Sequence, residues 1–287
     1  MGRESRFEWI GVATISAALI AVLCWVVFTS PVGKTLATGE SNDDMLAGTV
    51  APPALRVVPD ADEYLAMIDL ESGVVPPLTM ESLPPNLELL PVPQKKEAFI
   101  KLLLPPILRA NEQYALLREQ IQHGIFDDSL YEEFKLNPDD GVEKLLRRVD
   151  TIPVSLVLAQ AAIESAWGTS RFAMEGNNIF GHWTYLVGQG MVPAGREGGK
   201  SHELRIFESL EDSVQAYFYN LNTNRAYKEF REAREVTRNP LELAQHLRRY
   251  SELGEEYVEM VQRIIDYNNF QGYDPLRLLA GAQHEWE

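Results

Sequence analysis

The pattern of apolar and polar positions changes character along the chain. Residues 9–29 carry no charged side chain, residues 30–94 are rich in proline, acidic and small polar residues, and helical apolar spacing begins at Lys95. A charge-free run of about 20 residues is long enough to cross a bilayer as a helix, whereas prolines prevent long helices. We therefore predict a cytoplasmic tail (1–8), a transmembrane anchor (9–29), a mostly disordered extracytoplasmic stalk (30–94) and a folded domain (95–287). The alternative for the stalk is a small domain with poor local signals.

The folded domain reads as mostly α-helical, with a small β-hairpin flap. Apolar residues recur at helical spacing in six segments, which are 95–124, 141–150, 151–168, 209–223, 239–250 and 254–270. Pro105 and Pro106 predict a kink or break in the first of these. Ser209 with Asp212 three positions later predicts a capped helix start. Glycines, aromatics and alternation between residues 181 and 208 predict the hairpin.

The N-terminal apolar run has a second interpretation, as a cleaved signal peptide. Its length favours an uncleaved anchor, and Arg3 and Arg6 before it favour a cytoplasmic N-terminus. A lipoprotein site at Cys24 is disfavoured because bulky Leu23 precedes it. The rest of the chain lies outside the cytoplasm under each interpretation.

Composition and the absence of known motifs argue against several classes of function. The net charge of −16 argues against nucleic-acid binding, since phosphate backbones require a basic face. Cys24 is the single cysteine, so a disulfide framework and a cysteine-based metal site within one chain are both excluded. The five histidines form no metal-binding pair on a helix, and no phosphate-binding or nucleophile-elbow motif occurs. We expect neither a metal nor a cofactor.

One carboxylate stands out in the segment LAQAAIESAWG. On a helix, small or apolar residues surround Glu164, and no Lys or Arg partner is in reach. The helix is expected to end just after Trp167, which places the charge near the negative end of the helix dipole. Desolvation and the dipole both raise a carboxyl pKa, and such a group can protonate a glycosidic oxygen. The alternative is a glutamate that turns into solvent at a helix end.

Two motifs, residues 162–170 (AIESAWGTS) and residues 178–181 (NIFG), resemble the glucosaminidase family that includes flagellar peptidoglycan hydrolase domains (glycoside hydrolase family 73). The likeness is greatest to its Bax-type branch and extends roughly over residues 95–272. The resemblance implies a lysozyme-like helical fold, Glu164 as the catalytic acid and cleavage of β-1,4 bonds after N-acetylglucosamine. It also implies that a tyrosine of the family corresponds to Tyr250.

Glycosidases generally need a second group, which stabilises the oxocarbenium ion or activates water. The flap offers Glu203 on a strand and Glu197 at a glycine-rich turn, and we favour Glu203. The substrate's own acetamido group is the alternative, with Tyr250 orienting it. Candidate sugar-binding residues follow from aromatic and polar side chains near the second motif; they are Asn178, Trp183 and Tyr185.

The sequence thus predicts a peptidoglycan hydrolase in the bacterial inner membrane, with one membrane span and its catalytic domain in the periplasm. Its partners would be peptidoglycan glycan strands. Three other functions remain open: a lytic transglycosylase, an endo-β-N-acetylglucosaminidase acting on glycoproteins, and a non-catalytic wall-binding module.

Overall fold

A computed structural model describes residues 51–184, 188, 190–192 and 203–280, and helices dominate this part of the chain. Its α-helices are α1 (Ala61–Met67), α2 (Val92–Gln122), α3 (Ser129–Glu133), α4 (Val142–Arg148), α5 (Val154–Glu164), α6 (Arg171–Gly176), α7 (Leu210–Thr223), α8 (Lys228–Arg234), α9 (Pro240–Ala244) and α10 (Glu255–Tyr267). Short 3₁₀ helices occupy Leu87–Leu89, Pro138–Asp140, Arg225–Tyr227, Gln245–Leu247 and Phe270–Tyr273. The mostly helical prediction is confirmed.

The strands are short and lie in three separate small sheets. They are β1 (Arg56–Val57), β2 (Val74–Val75), β3 (Leu78–Thr79), β4 (Trp183–Thr184), β5 (Gly190–Met191), β6 (Glu203–Arg205) and β7 (Arg277–Leu278). β1 pairs with β3 and β2 pairs with β7, both in parallel. β6 lies between β4 and β5, antiparallel to both. The flap is therefore a three-stranded sheet, one strand more than the predicted hairpin.

The long helix α2 runs through both prolines without a break, so the break that was one of the two outcomes predicted at Pro105 and Pro106 is wrong. Proline has no N–H, and Pro105 therefore leaves the carbonyl of Lys101 without its helical donor. The hydroxyl of Tyr64 in α1 donates to that carbonyl at 2.8 Å. A neighbouring segment thus replaces the missing hydrogen bond.

The helix that carries the candidate acid ends earlier than predicted. α5 ends at Glu164, with Ser165 as its C-cap, and the following Ala166 and Trp167 both have positive φ. The Ser165 hydroxyl donates to Ala161 O at 2.6 Å and accepts from Gly168 N at 2.8 Å, which closes a tight turn. Trp167 is therefore not on the helical face of Glu164. It packs edge-on against Phe99 and Phe270 instead.

Residues 51–94 are part of the folded structure, and the prediction that they belong to a disordered stalk is wrong. The sequence signal misleads because prolines interrupt every helical run, while scattered apolar side chains still reach the core. The buried ones are Val58, Tyr64, Ile68, Val75, Leu78, Met80, Leu83 and Leu87. The boundary predicted at residue 95 also falls inside α2.

Ser209 caps α7 as its position predicts. Its hydroxyl accepts from Asp212 N at 3.0 Å and contacts the Asp212 carboxylate at 2.8 Å. Within the described ranges, no helix combines the length and apolarity needed to cross a membrane. The predicted span, residues 9–29, lies outside those ranges.

Candidate active site

Glu164 occupies the last position of α5, where its carboxyl is partly buried and faces α10. Tyr257 of α10 donates a hydrogen bond from its hydroxyl to Glu164 Oε1 at 2.7 Å. The oxygen of the same hydroxyl accepts from Gln160 Nε2 at 2.8 Å, one turn earlier on α5. The carboxyl is thus held by a neutral phenol rather than by a cation.

Aromatic hydroxyls surround this carboxyl. Tyr250 stacks on Tyr257 with the rings 5.6 Å apart and nearly parallel, at 3°. Tyr250 also donates to Phe180 O at 3.0 Å, and Tyr217 stacks on the Phe180 ring at 4.2 Å. Burial raises the pKa of Tyr217, Tyr250 and Tyr257 well above 10, and a negative charge on Glu164 raises it further. All three therefore remain neutral donors.

The same setting changes the acidity of the carboxyl itself. Burial raises the pKa of Glu164 from 4.5 to about 7, and the hydrogen bond from Tyr257 lowers it by a smaller amount. The C-terminal end of α5 also disfavours negative charge. Near neutral pH the group can both hold and release a proton, which general acid catalysis requires.

The turn after α6 forms one wall of the site. Asn177 adopts a left-handed conformation at φ 50°, as expected for an asparagine that ends a helix. Gly181 lies beside the acid, since a Cβ added there would be 3.4 Å from Glu164 Oε2. Its φ of +70° also favours glycine.

Asn178 is buried, with 1% of its surface exposed, and its role in substrate binding stays a prediction. Its amide nitrogen donates to His182 O and Arg205 O, both at 2.8 Å, and its oxygen accepts from His182 N at 2.8 Å. The side chain therefore joins the turn to strand β6. It positions the flap against the helices.

Glu203, the favoured second carboxylate, lies on β6 with 4% exposure. Its Oε2 accepts from the backbone N–H groups of Gly188 and Gly190, both at 2.9 Å, and so supports the flap turn. Trp183 is half-buried on β4 and lies opposite Leu204. Tyr185 and Glu197 lie outside the described residues.

Comparison with known proteins identifies the domain that contains this site. Residues 140–270 match the glucosaminidase family model, described as mannosyl-glycoprotein endo-beta-N-acetylglucosaminidase. This part of the chain is similar to glucosaminidase domains. The chain is also 34% identical over 157 residues to Protein bax of Escherichia coli (strain K12). That alignment covers 49% of the present chain and 55% of the Escherichia coli protein, so the chain spans about half of this relative's length. No solved structure gives a significant match.

The resemblance predicted from the two motifs is thus confirmed over residues 140–270. The glucosaminidase domain includes Glu164, Glu203, Tyr250 and Tyr257, and it indicates a glycoside hydrolase type of function. Residues 51–91, which precede α2, lie outside the family match but pack against the domain. Leu83 and Leu87, for example, border Gly168 just after the candidate acid.

A separate cavity of about 420 Å³ lies at the opposite end of α5, next to Pro153. An 11-residue helix separates it from Glu164 by about 16 Å. Its charged groups are already bonded within the protein: Asp274 accepts from Ser155, and Arg238 donates to Asp150. This cavity is not part of the glucosaminidase site.

Sequence reasoning missed the closest partners of the acid. Tyr257 belongs to an apolar stripe of α10 that includes Val258, Val261 and Ile265, so it reads as a core residue. One signal in the sequence could have indicated its role. A tyrosine in an apolar stripe buries its hydroxyl, and a buried hydroxyl needs a hydrogen-bond partner. Among the described residues, no cluster of His, Cys, Asp or Glu has the geometry to hold a metal ion.

Proposed function

We propose that the chain is a peptidoglycan hydrolase, an endo-β-N-acetylglucosaminidase that cleaves the β-1,4 bond after N-acetylglucosamine. Glu164 acts as the general acid and donates its proton to the glycosidic oxygen as the bond to the anomeric carbon breaks. One observation carries this assignment: the partly buried carboxyl, bonded to Tyr257, has its pKa raised to about 7. It is therefore protonated in a large fraction of molecules at neutral pH.

One other substrate class has a specific observation in its favour. The matching family is described by its action on mannosyl-glycoproteins, so a glycoprotein glycan is the second candidate. The same acid would serve there, because protonation of the leaving oxygen is common to both substrates.

Mass spectrometry of the products from purified cell wall and from a mannosyl-glycoprotein separates these functions. We expect wall fragments that end in reducing N-acetylglucosamine. Fragments with anhydro-muramyl ends would instead show a lytic transglycosylase, and glycan release from the glycoprotein alone would show the second candidate. Binding to the wall without any product would show a non-catalytic module.

Glu164→Gln is the matched variant, because it keeps the shape of the side chain and an oxygen that accepts from Tyr257. We expect hydrolysis to fall by roughly 10²–10⁴-fold, the usual contribution of general acid catalysis. Circular dichroism should show the same helical signal as the wild type. Near-wild-type hydrolysis by the folded variant would contradict the role of Glu164.

For the second half of the reaction we propose Glu203, with Glu197 and the substrate acetamido group as competitors. Glu203 is supported by its placement on a strand, since a rigid element holds a reacting group more accurately than a loop. Tyr250 is supported by its stacking on Tyr257, directly beside the acid. Proton NMR of the first-formed anomer distinguishes Glu203 as a base that activates water, which inverts the configuration, from acetamido assistance, which retains it.

We further propose that residues 9–29 anchor the protein in the bacterial inner membrane, with the glucosaminidase domain in the periplasm. The support is the charge-free length of that segment and the location of the proposed substrate. Residues 30–50 would then connect the anchor to the folded part. The mass of the mature protein from a membrane fraction tests this: cleavage after the apolar run would contradict the anchor.

A further inference from the structure

Three buried side chains form a chain of hydrogen bonds behind Glu164. The Tyr217 hydroxyl donates to Gln160 Oε1 at 2.6 Å, and Gln160 Nε2 donates to the Tyr257 hydroxyl at 2.8 Å. Tyr257 then donates to Glu164 Oε1 at 2.7 Å. Gln160 and Tyr217 are fully buried, and Tyr257 is 1% exposed. Water therefore cannot replace these side chains as hydrogen-bond partners of one another.

The direction of this chain follows from what each group can donate. The amide nitrogen of Gln160 is a donor only, and a hydroxyl carries one hydrogen. Because the Tyr257 oxygen accepts from Gln160, its own hydrogen points at Glu164 Oε1. The carbonyl oxygen of a neutral carboxyl is a better acceptor than its hydroxyl oxygen. Accepting from Tyr257 therefore favours Oε1 as the carbonyl oxygen and Oε2 as the oxygen that carries the proton.

The other oxygen faces the turn that contains Gly181. A Cβ at Gly181 would be 3.4 Å from Oε2, so the absent side chain leaves space beside the proton. Tyr250 donates to Phe180 O and holds this turn in place next to the acid. Oε2 is therefore the carboxyl oxygen that faces the glycine, whereas Oε1 is bonded to Tyr257.

We propose that Tyr257, oriented by Gln160 and Tyr217, is a positioning residue that makes Oε2 the proton-donating atom of Glu164. This inference rests on the proposed function for its catalytic meaning. The hydrogen bond from Tyr257, which fixes the orientation of the Glu164 carboxyl, does not depend on that function and follows from the contacts alone.

The groups facing Glu164 come from each element packed around it. Gln160 lies on α5, Tyr257 on α10, Tyr217 on α7, and Tyr250 in the segment before α10. The described neighbours that interact with its charge are all tyrosines kept neutral by burial. The bond from Tyr257 favours the ionised carboxylate, so losing it must raise the pKa of Glu164 further.

A direct titration tests this without relying on activity. The protein is labelled with ¹³C at glutamate side chains, and the Glu164 carboxyl signal is assigned by its absence in Glu164→Gln. In the wild type we expect a midpoint near pH 7. In Tyr257→Phe we expect it about one to two pH units higher, the usual strength of a hydrogen bond to a charged group.

Two further variants complete the experiment. Tyr64→Phe removes another buried tyrosine hydroxyl, the one bonded to Lys101 O, and should leave the Glu164 midpoint unchanged. Gln160→Met frees the Tyr257 hydroxyl to rotate and should give a smaller upward shift. If Tyr257→Phe does not fold, Gln160→Met tests the same chain of bonds. A Glu164 midpoint that stays at the wild-type pH in the folded variants overturns the proposal.

Activity provides the second readout. On cell wall, Tyr257→Phe should move the alkaline limb of the kcat profile upward in parallel with the NMR midpoint and lower kcat about tenfold, with little change in KM. An NMR shift in a protein that does not cleave the wall would refute the proposed function while supporting the positioning of Glu164. A protein that cleaves the wall but shows no NMR shift would support the proposed function and refute the positioning role of Tyr257.

Discussion

The contribution of Glu164 to the free energy of unfolding depends on pH. Its folded pKa of about 7 lies above the ordinary value of 4.5, so the native state binds the proton more tightly than the unfolded chain. The resulting stabilisation is complete below about pH 4.5 and is lost as pH rises through 7. The ionised Glu164 carboxylate therefore destabilises the fold above about pH 7.

Glu164→Gln should remove that dependence. Compared with the wild type, the variant should gain on the order of 2–3 kcal/mol in free energy of unfolding between pH 4.5 and pH 8. Denaturant unfolding of both proteins at the two pH values measures the difference, in which all other titrating groups cancel. A difference that is the same at both values would show that the carboxyl pKa is not raised.

At the residue scale, the sequence predicted a carboxyl in a small, apolar setting at Glu164, but it did not predict the side chains that contact this carboxyl. The charged side chain of Glu164 among small and apolar helical residues could be recognised from the sequence, because these neighbours lie within one or two helical turns. Tyr257 bonds to it across 93 positions, and such a contact depends on how α5 and α10 pack. The hydrogen bond from Asn178 to Arg205 O on β6 could not be predicted for the related reason that β6 could not be located relative to the turn.

In the flap, the Glu203 carboxylate has two possible roles, a structural one in the turn and a chemical one in catalysis. Glu203 Oε2 supports the turn through two backbone N–H groups, and a glutamine oxygen can accept the same bonds. Glu203→Gln should therefore preserve the flap, whereas Glu203→Ala should leave both N–H groups unpaired. Slow amide hydrogen exchange at Gly190 in Glu203→Gln, and faster exchange in Glu203→Ala, would establish this.

Activity of the same two variants then assigns the chemical role of Glu203. If its charge is the second catalytic group, Glu203→Gln should lose most turnover although its flap is intact, with a defect approaching that of Glu164→Gln. Nearly full turnover in Glu203→Gln, together with loss in Glu203→Ala, would mean that Glu203 only supports the flap. The acetamido scheme with Tyr250 would then be favoured.

Helix α2 offers a test of how a proline is tolerated inside a helix. Tyr64→Phe should cost about 1–2 kcal/mol in free energy of unfolding, because it leaves the buried Lys101 carbonyl unpaired. In a Pro105→Ala background a backbone N–H returns to that carbonyl, and the cost should shrink. Equal costs in the two backgrounds, measured by denaturant unfolding, would refute the compensation.

Prediction at the element scale failed where a remote group changed the local outcome. The two prolines indicate a break in α2 only as long as no outside donor is considered. α5 was extended to Trp167 because its apolar spacing continues, while Ser165 and the positive φ values of Ala166 and Trp167 terminate it at Glu164. The capped start at Ser209 was predictable because a capping pair lies within four residues.

For the whole molecule, the segment before α2 is expected to be essential for folding. Eight of its apolar side chains are buried in the common core, among them Tyr64, Leu83 and Leu87. Each contributes about 1.5–3 kcal/mol on burial, so the total is at least comparable to the roughly 5–15 kcal/mol stability of a typical domain. A fragment of residues 95–280 should therefore show no cooperative thermal transition.

A fragment of residues 51–280 is the matched control and should unfold cooperatively. Near-ultraviolet circular dichroism during heating compares the two fragments, since it reports fixed packing of aromatic side chains. A cooperative transition of residues 95–280 at the temperature of the longer fragment would restore the predicted boundary. The glucosaminidase match at residues 140–270 would then also mark the approximate folding unit.

The parallel pairing of β2 with β7 has a consequence for biosynthesis. Val75 lies beside Leu278, about 200 residues later in the chain, so this sheet cannot form until nearly the whole described sequence has left the ribosome. Until then Val75 lacks its partner in this sheet. The nascent chain must therefore remain incompletely folded until late in its synthesis, and during that time it is exposed to chaperones and to aggregation.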